Sequence, residues 1–294
     1  MKKTIYKIIN RLGYRIERKI RDKRLIAPYL CKYDVKKFDK IYESKEYILA
    51  LSNKYSDFNI VDNGDGFTIS FNSLFFYIES NEEFYILKEI FVDDDYQFDT
   101  SKKTIVIDIG ANIGIASTYF SKQDFVEKVY SFEPVTLTYN QAIKNFELNN
   151  ITNKVKIENF GLGDVDKKIS FLFDSNSKGS SGLSAIKSDR YIGNENAIKV
   201  EVDIKNSKDE LLSILNKHLD CQIIVKMDCE GGEIEILKAI DNVTDVFNKI
   251  DAFMIEWHDD SYDEVSKILL NNNFSFFTKN VRSQAGLILA FNNK

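Results

Sequence analysis

The sequence has few of the residues that usually advertise chemistry. Its three cysteines, Cys31, Cys221 and Cys229, include no CxxC pair, which argues against a disulfide framework or a zinc knuckle and for a reducing compartment. No apolar run is long enough to span a bilayer, and MKKTIYKIINRLGYRIERK lacks the apolar middle and small-residue cleavage site of a signal peptide. A cytoplasmic protein is therefore expected. The chain shows no internal repeat and no low-complexity segment, and a net charge of −5 gives no support for nucleic acid as a partner. What it does have is 44% hydrophobic and 13% aromatic residues in a chain of 294, enough for a sizeable core and too much for disorder.

The charge is unevenly spread. Residues 1 to 37 carry thirteen Lys and Arg against three acids, with Ile5, Ile8, Ile9, Leu12 and Ile16 among them at helical spacing. This predicts a basic amphipathic helix that either docks on its own domain or lies on an anionic membrane surface, at the inner face of the membrane. Helical patterning continues to about residue 53. Residues 58 to 80 then read as short strands after the turn signal DNGDG, and EEFYILKEIFVDDDYQF reads as a helix leading onward. We divide the chain into an α+β extension over 1–82 and a main domain over 83–294.

From residue 104 strands and helices alternate. The strands are Thr104 to Ile109, Lys128 to Phe132, Val155 to Phe160, Ile223 to Met227 and Ala252 to Trp257. Helices fall at Ile113 to Ser121, Leu137 to Asn149, Glu233 to Ile240 and Tyr262 to Asn272. Short apolar strands separated by helices imply an α/β fold with a mostly parallel sheet covered on both faces. FSFFTK and AGLILAF follow without a helix between them, which predicts a C-terminal antiparallel hairpin. GSSGLSAI, around residues 179 to 186, reads as a small loop.

In such a sheet ligands bind beyond the carboxyl ends of the strands, and the turn after the first strand is the usual nucleotide seat. There the chain reads DIGANIG: Asp108 at the strand end, Gly110 and Gly114 without side chains, and Asn112 before the free N–H groups of a helix. The next strand ends in SFEP, placing Glu133 where a carboxylate can accept from both hydroxyls of a ribose. The GxGxxG of a dinucleotide site is missing, and an acid at 108 would repel a pyrophosphate. It suits instead a cofactor bearing an amino group and a sulfonium, S-adenosylmethionine.

IVIDIGANIG, YSFEP and VKMDCEGGE together resemble the FkbM family of S-adenosylmethionine-dependent methyltransferases, within the Rossmann-like class I methyltransferase fold. The resemblance covers roughly residues 83 to 260, and KxDxEGxE is its specific part. It implies that Asp108, Gly110, Ala111, Asn112 and Gly114 line the methionine end of the cofactor and that Glu133 holds the ribose. GLGD resembles the loop facing the adenine amino group, which puts Gly163 and Asp164 there, with a surface turn as the alternative for Asp164. Lys226 and Asp228 would stand where the methyl group meets its acceptor.

Methyl transfer is an in-line displacement, so alignment and removal of the acceptor's proton are what a protein can contribute. Of the two histidines, His218 reads as a surface residue, while His258 in IEWHDD lies beside the Asp228 strand end and is either the general base or a substrate-positioning residue. Asp228 and Glu256 are the other candidates. The acids Asp228, Glu230, Glu233, Glu256, Asp259 and Asp260 invite a divalent ion, but the dipole of the following helix already favours acids at 230 and 233, and no metal site is assigned. The expected reaction is O-methylation of a glycan or glycan precursor. Methylation of a small non-sugar metabolite, on oxygen or nitrogen, and a cofactor-binding module without turnover are the alternatives.

Overall fold

The computed structural model describes residues 23–175, 177–178, 197–241, 243–258, 261–282 and 284–294. The amphipathic helix expected over Ile5 to Ile16, the loop around 179–186, and Asp259 and Asp260 lie outside them.

A seven-stranded sheet organises the molecule. Strands β4 (Thr104–Ile109), β5 (Val126–Phe132), β6 (Val155–Glu158), β10 (Gln222–Met227), β11 (Ala252–His258), β12 (Phe274–Lys279) and β13 (Ala285–Asn292) run in the order β12-β13-β11-β10-β4-β5-β6. The pairs among β6, β5, β4, β10 and β11 are parallel, and β12 and β13 close one edge as the expected antiparallel hairpin. The strand order reverses between β4 and β10, the switch point at which open α/β sheets form a crevice.

Alternation within each strand sorts the two faces. Ile105, Ile107, Ile109, Val225, Met227, Phe253 and Ile255 pack beneath α6 (Ser207–Leu215), α7 (Glu233–Asp241) and α8 (Tyr262–Asn271). Val106, Ile224 and Met254 pack on the opposite face with α3 (Asn81–Phe91), α4 (Ile115–Ser121) and α5 (Thr136–Leu148). Asp108, Lys226 and Glu256 follow this second set by two residues, so the same alternation brings all three to one face at the carboxyl edge.

The N-terminal region is continuous with that second face. Helices α1 (Phe38–Glu43) and α2 (Lys45–Lys54) and the meander β1 (Asn59–Asn63), β2 (Gly66–Phe71) and β3 (Leu74–Ile78) share one hydrophobic core with α3, α4 and α5. Helix α5 also pairs with the open edge of β3 through two amides one turn apart. Asn149 accepts from the Phe75 N–H and donates to its carbonyl, and Asn145 does the same with Tyr77. Position 82, the expected boundary, falls inside α3, which Ser80 and Glu83 start with a reciprocal capping box.

A third small sheet is formed between β6 and α6. Strands β7 (Gly161–Gly163), β8 (Lys167–Phe173) and β9 (Ile198–Asn206) run in the order β7-β9-β8 and lean on Val135 through Phe171, Val202 and Ile204. No helix among the described residues is long and apolar enough to cross a membrane.

Candidate active site

A cleft of about 420 Å³ opens along the carboxyl edge, within the usual range of small-molecule sites, and an inner pocket of about 60 Å³ continues from it beneath Gly110 and Asp228. One end is apolar, lined by Pro134, Leu162, Ile169, Phe171 and Ile204. Glu133 stands in the middle. The other end is acidic, with Asp228, Glu230 and Glu256 together with His258.

The turn after β4 is held from below. Gly110 and Ala111 donate to the Phe132 carbonyl, and Asp228 donates to the Ile109 carbonyl, which locks the ends of β4, β5 and β10 together. Gly110 has φ of 80°, and a Cβ there would stand 1.8 Å from the Asp228 carbonyl oxygen. The glycine is required by the close approach of two backbones as well as by any ligand. Asn112 also takes a left-handed conformation, and its N–H donates to Glu133. The second Glu133 oxygen accepts from the Val135 N–H. Burial nevertheless pushes the Glu133 carboxyl up to about 7.

Asp108 and Gly114 do not line the cleft, contrary to expectation. Asp108 is fully buried: one carboxylate oxygen accepts from Ser117 and the other lies 3.1 Å from the Lys226 ammonium. Parallel register sets Lys226 directly beside Asp108, so the lysine turns inward, donates to the Gly110 carbonyl at 2.7 Å and stays 3.7 Å from Asp228. With 2% exposure Lys226 ties two strand ends and lines the inner pocket, its ammonium taken up by Asp108 and the Gly110 carbonyl. At Gly114 a Cβ would meet the Phe146 ring at 2.4 Å, so this glycine lets α5 pack on the start of α4.

The expected adenine contact also moves. Asp164 is exposed and ion-paired with Lys167 at 2.9 Å, and Gly163 packs under Ile204 and Glu235. GLG forms a strand here, and its continuation turns away into β8. Gly161 and Leu162 reach the cleft in place of Asp164. The β8 and β9 residues of the apolar end carry no motif, and only their β-branched and aromatic alternation could have flagged them.

His258, Glu256 and Asp228 do come together. Glu233, at the start of α7, accepts from the N–H groups of Cys229 and Gly231 and faces His258 Nδ1 at 3.4 Å, while Glu230 faces Nε2 at 3.6 Å. Burial alone would push the ring down, but these carboxylates outweigh it and raise the histidine to about 10. Both ring nitrogens face carboxylates, which favours the substrate-positioning role expected of His258 over that of general base. Burial, with Asp228 beside it, holds the Glu256 carboxyl well above the usual range, and burial lifts Glu230 to about 8. Glu230 lies before α7 in a left-handed turn, so the helix dipole that accounts for Glu233 does not account for it.

Residues from the helix before β4 and from the last hairpin complete the walls. Glu89, Asp95 and Tyr96 meet Asn280 and Arg282 around the inner pocket, and Tyr85, Arg282 and Gln284 stand at the open mouth. Asn280, Arg282 and Gln284 belong to no recognisable motif, whereas Tyr85, Glu89, Asp95 and Tyr96 lie in the EEFYILKEIFVDDDYQF lead-in to β4. Lys178, 4% exposed at the side chain, reaches the cleft wall and binds Glu79, Glu83 and Gln141. His218 lies away from the cleft, hydrogen-bonded to the Tyr130 hydroxyl.

The Methyltransferase FkbM domain model matches residues 108–276, more than half of the chain. Methyltransferase sdnD of Sordaria araneosa is 28% identical over 187 residues, covering 57% of this chain and 72% of that protein. Methyltransferase 1 of Beauveria bassiana strain ARSEF 2860 is 27% identical over 201 residues, covering 64% and 79%. Among solved structures, methyltransferase FkbM from Methylobacillus flagellatus KT matches with a TM-score of 0.42 at 14% identity, over 92% of this chain and 59% of that one. The present chain thus spans about three-fifths of that protein's length.

Proposed function

This chain belongs to the FkbM methyltransferase family, and we propose that it transfers the methyl group of S-adenosylmethionine to a hydroxyl oxygen of a glycan or glycan precursor. One observation carries the reading: an apolar slot, a buried carboxylate and an acid-rich end follow one another along the carboxyl edge of a parallel sheet. That order suits an adenine, a ribose and a cationic methionine end. Pro134, Leu162 and Phe171 would enclose the base, Glu133 would accept from the ribose hydroxyls, and Gly110, Ala111 and Asn112 would border the methionine end.

When bound, the cofactor supplies a methyl carbon made electrophilic by its sulfonium. The chain's residues provide alignment, exclusion of water and a destination for the acceptor's proton. Lys226 fixes the strand ends that carry Gly110 and Asp228. Glu256 lines both the cleft and the inner pocket on the same edge as Asp228, which places a carboxylate where the acceptor's proton has to go. Tyr85, Arg282 and Gln284 at the mouth offer one ring and several hydrogen-bonding groups to a hydroxyl-rich acceptor.

Methylation of a small non-sugar metabolite is the second reading, favoured by the small volume of the inner pocket. A cofactor-binding module without turnover would be favoured by catalytic candidates lying apart, whereas Asp228, Glu256 and His258 share one cleft. Mass spectrometry of glycans from cells with and without the protein tests the proposal, with loss of single methyl increments as the expected result. Identical glycan profiles, with labelled methyl recovered in a non-carbohydrate fraction, would move the assignment to the second reading.

A further inference from the structure

We propose that Asp228, Glu230 and His258 hold a divalent cation of the Mg²⁺ or Mn²⁺ kind at the acceptor end of the cleft. The ion's role there rests on the methyltransferase reading; its site rests on the side chains alone. Each of the three residues brings one donor atom to within 4.8 Å of the other two. Bonds of about 2.1 Å place opposite ligands of such an ion about 4.2 Å apart, so small side-chain rotations close the set. Two carboxylates and one imidazole, which gives up its ring proton when the ion binds, suit a hard to borderline ion and leave coordination positions open towards the cleft.

The contacts within the cluster are unfinished without a cation. His258 stands 3.6 Å from Glu230 and 3.4 Å from Glu233, whereas direct charge-assisted hydrogen bonds close to about 2.7–2.9 Å. One Glu230 oxygen is sealed from solvent with no hydrogen-bond partner among the described residues, while His258 Nδ1 has Glu233 beside it. Buried polar atoms rarely stay unpaired, because each costs the desolvation that a partner would offset. Lys226 reaches one of the three, Asp228, only at 3.7 Å, since its ammonium is held closer by Asp108 and Gly110. Glu233 is committed as well, to two backbone N–H groups, and acts as the outer support that orients the His258 ring.

An ion at this point would take an acceptor hydroxyl into an open position and make its proton easier to remove, with Glu256 on the same wall to receive it. An acceptor with two neighbouring hydroxyls would fill two such positions, a property of sugars that a lone alcohol lacks.

The test is titration of the full chain with Mn²⁺, followed by the loss of the free-ion electron paramagnetic resonance signal. One saturable site per chain is expected. Asp228→Asn, Glu230→Gln and His258→Gln should each weaken it by about tenfold or more, and thermal melts identify which variants are folded. No saturable uptake at millimolar Mn²⁺ overturns the inference, as does uptake that persists in every folded variant. Calorimetry with S-adenosylhomocysteine on the same wild-type sample keeps two failures apart. Cofactor-product binding without Mn²⁺ uptake defeats the cation site alone, and absence of cofactor-product binding defeats the methyltransferase reading whatever the ion does.

Discussion

At the turn after β4, buried charges find their partners within the protein. Asp108 has Ser117 and Lys226, and Glu133 has the N–H groups of Asn112 and Val135. At the ends of β10 and β11, along the same edge, one Glu230 oxygen has no partner among the described residues, and His258 stays 3.4 to 3.6 Å from the carboxylates that flank it. The first region is finished by folding, and its geometry exists before any ligand arrives. The second carries more acid than the fold neutralises, as expected of a site completed by what binds there.

The largest effect that separates the two regions is kinetic. Glu256→Gln should lower methyl transfer by about 10² to 10⁴ while S-adenosylhomocysteine affinity stays nearly unchanged, because the variant keeps the shape and removes the proton acceptor. Near-normal turnover with intact product binding would break the division between a cofactor region and an acceptor region.

The two glycines sharpen the comparison on the finished side. Gly110→Ala should cost about 3 kcal/mol of stability, since its Cβ meets a backbone carbonyl in a left-handed conformation. Gly114→Ala should cost about 2 kcal/mol through the Phe146 ring, yet the folded protein should still bind S-adenosylhomocysteine. Thermal melts and calorimetry read both; weakened product binding in folded Gly114→Ala would return that glycine to the site.

Glu133 gives a graded test. Its carboxyl is lifted to about 7, so it is protonated below that pH and loses acceptor capacity for ribose hydroxyls. Product affinity should therefore rise as pH increases through 7, by at most about tenfold per unit on the acid side. Calorimetry across this range should find the slope in the wild type and a flat profile in Glu133→Gln; a slope that survives the substitution would place the titrating group elsewhere. The smallest effect is predicted at Asp164, whose exposed pairing with Lys167 should change product binding by less than about 0.5 kcal/mol on Asp164→Ala. A larger loss would restore it as an adenine contact.

Much of the frame was legible because it rests on periodicity. Strand β4 runs from Thr104 to Ile109 as its β-branched run predicts, and the hairpin of β12 and β13 follows from two apolar runs with no helix between them. Side-chain destinations were less legible. DIGANIG marks a ligand-binding turn, yet two of its members, Asp108 and Gly114, face the interior, and nothing local distinguishes them from Gly110. The amides of Asn145 and Asn149 look like ordinary polar positions of a helix until the edge of β3 lies against them.

The sequence by itself determined the order of strands and helices, and so which acids stand at strand ends along one edge. Local spacing suffices for that, since side chains alternate along a strand whatever lies beyond it. Only the tertiary structure decided what each acid does. The pairing of β10 beside β4 gives Lys226 to Asp108 and withholds it from Glu230, and the packing of α7 against the end of β11 sets His258 between two carboxylates. Charge interactions depend on distance and burial, and both are fixed between residues more than a hundred positions or one packed helix apart.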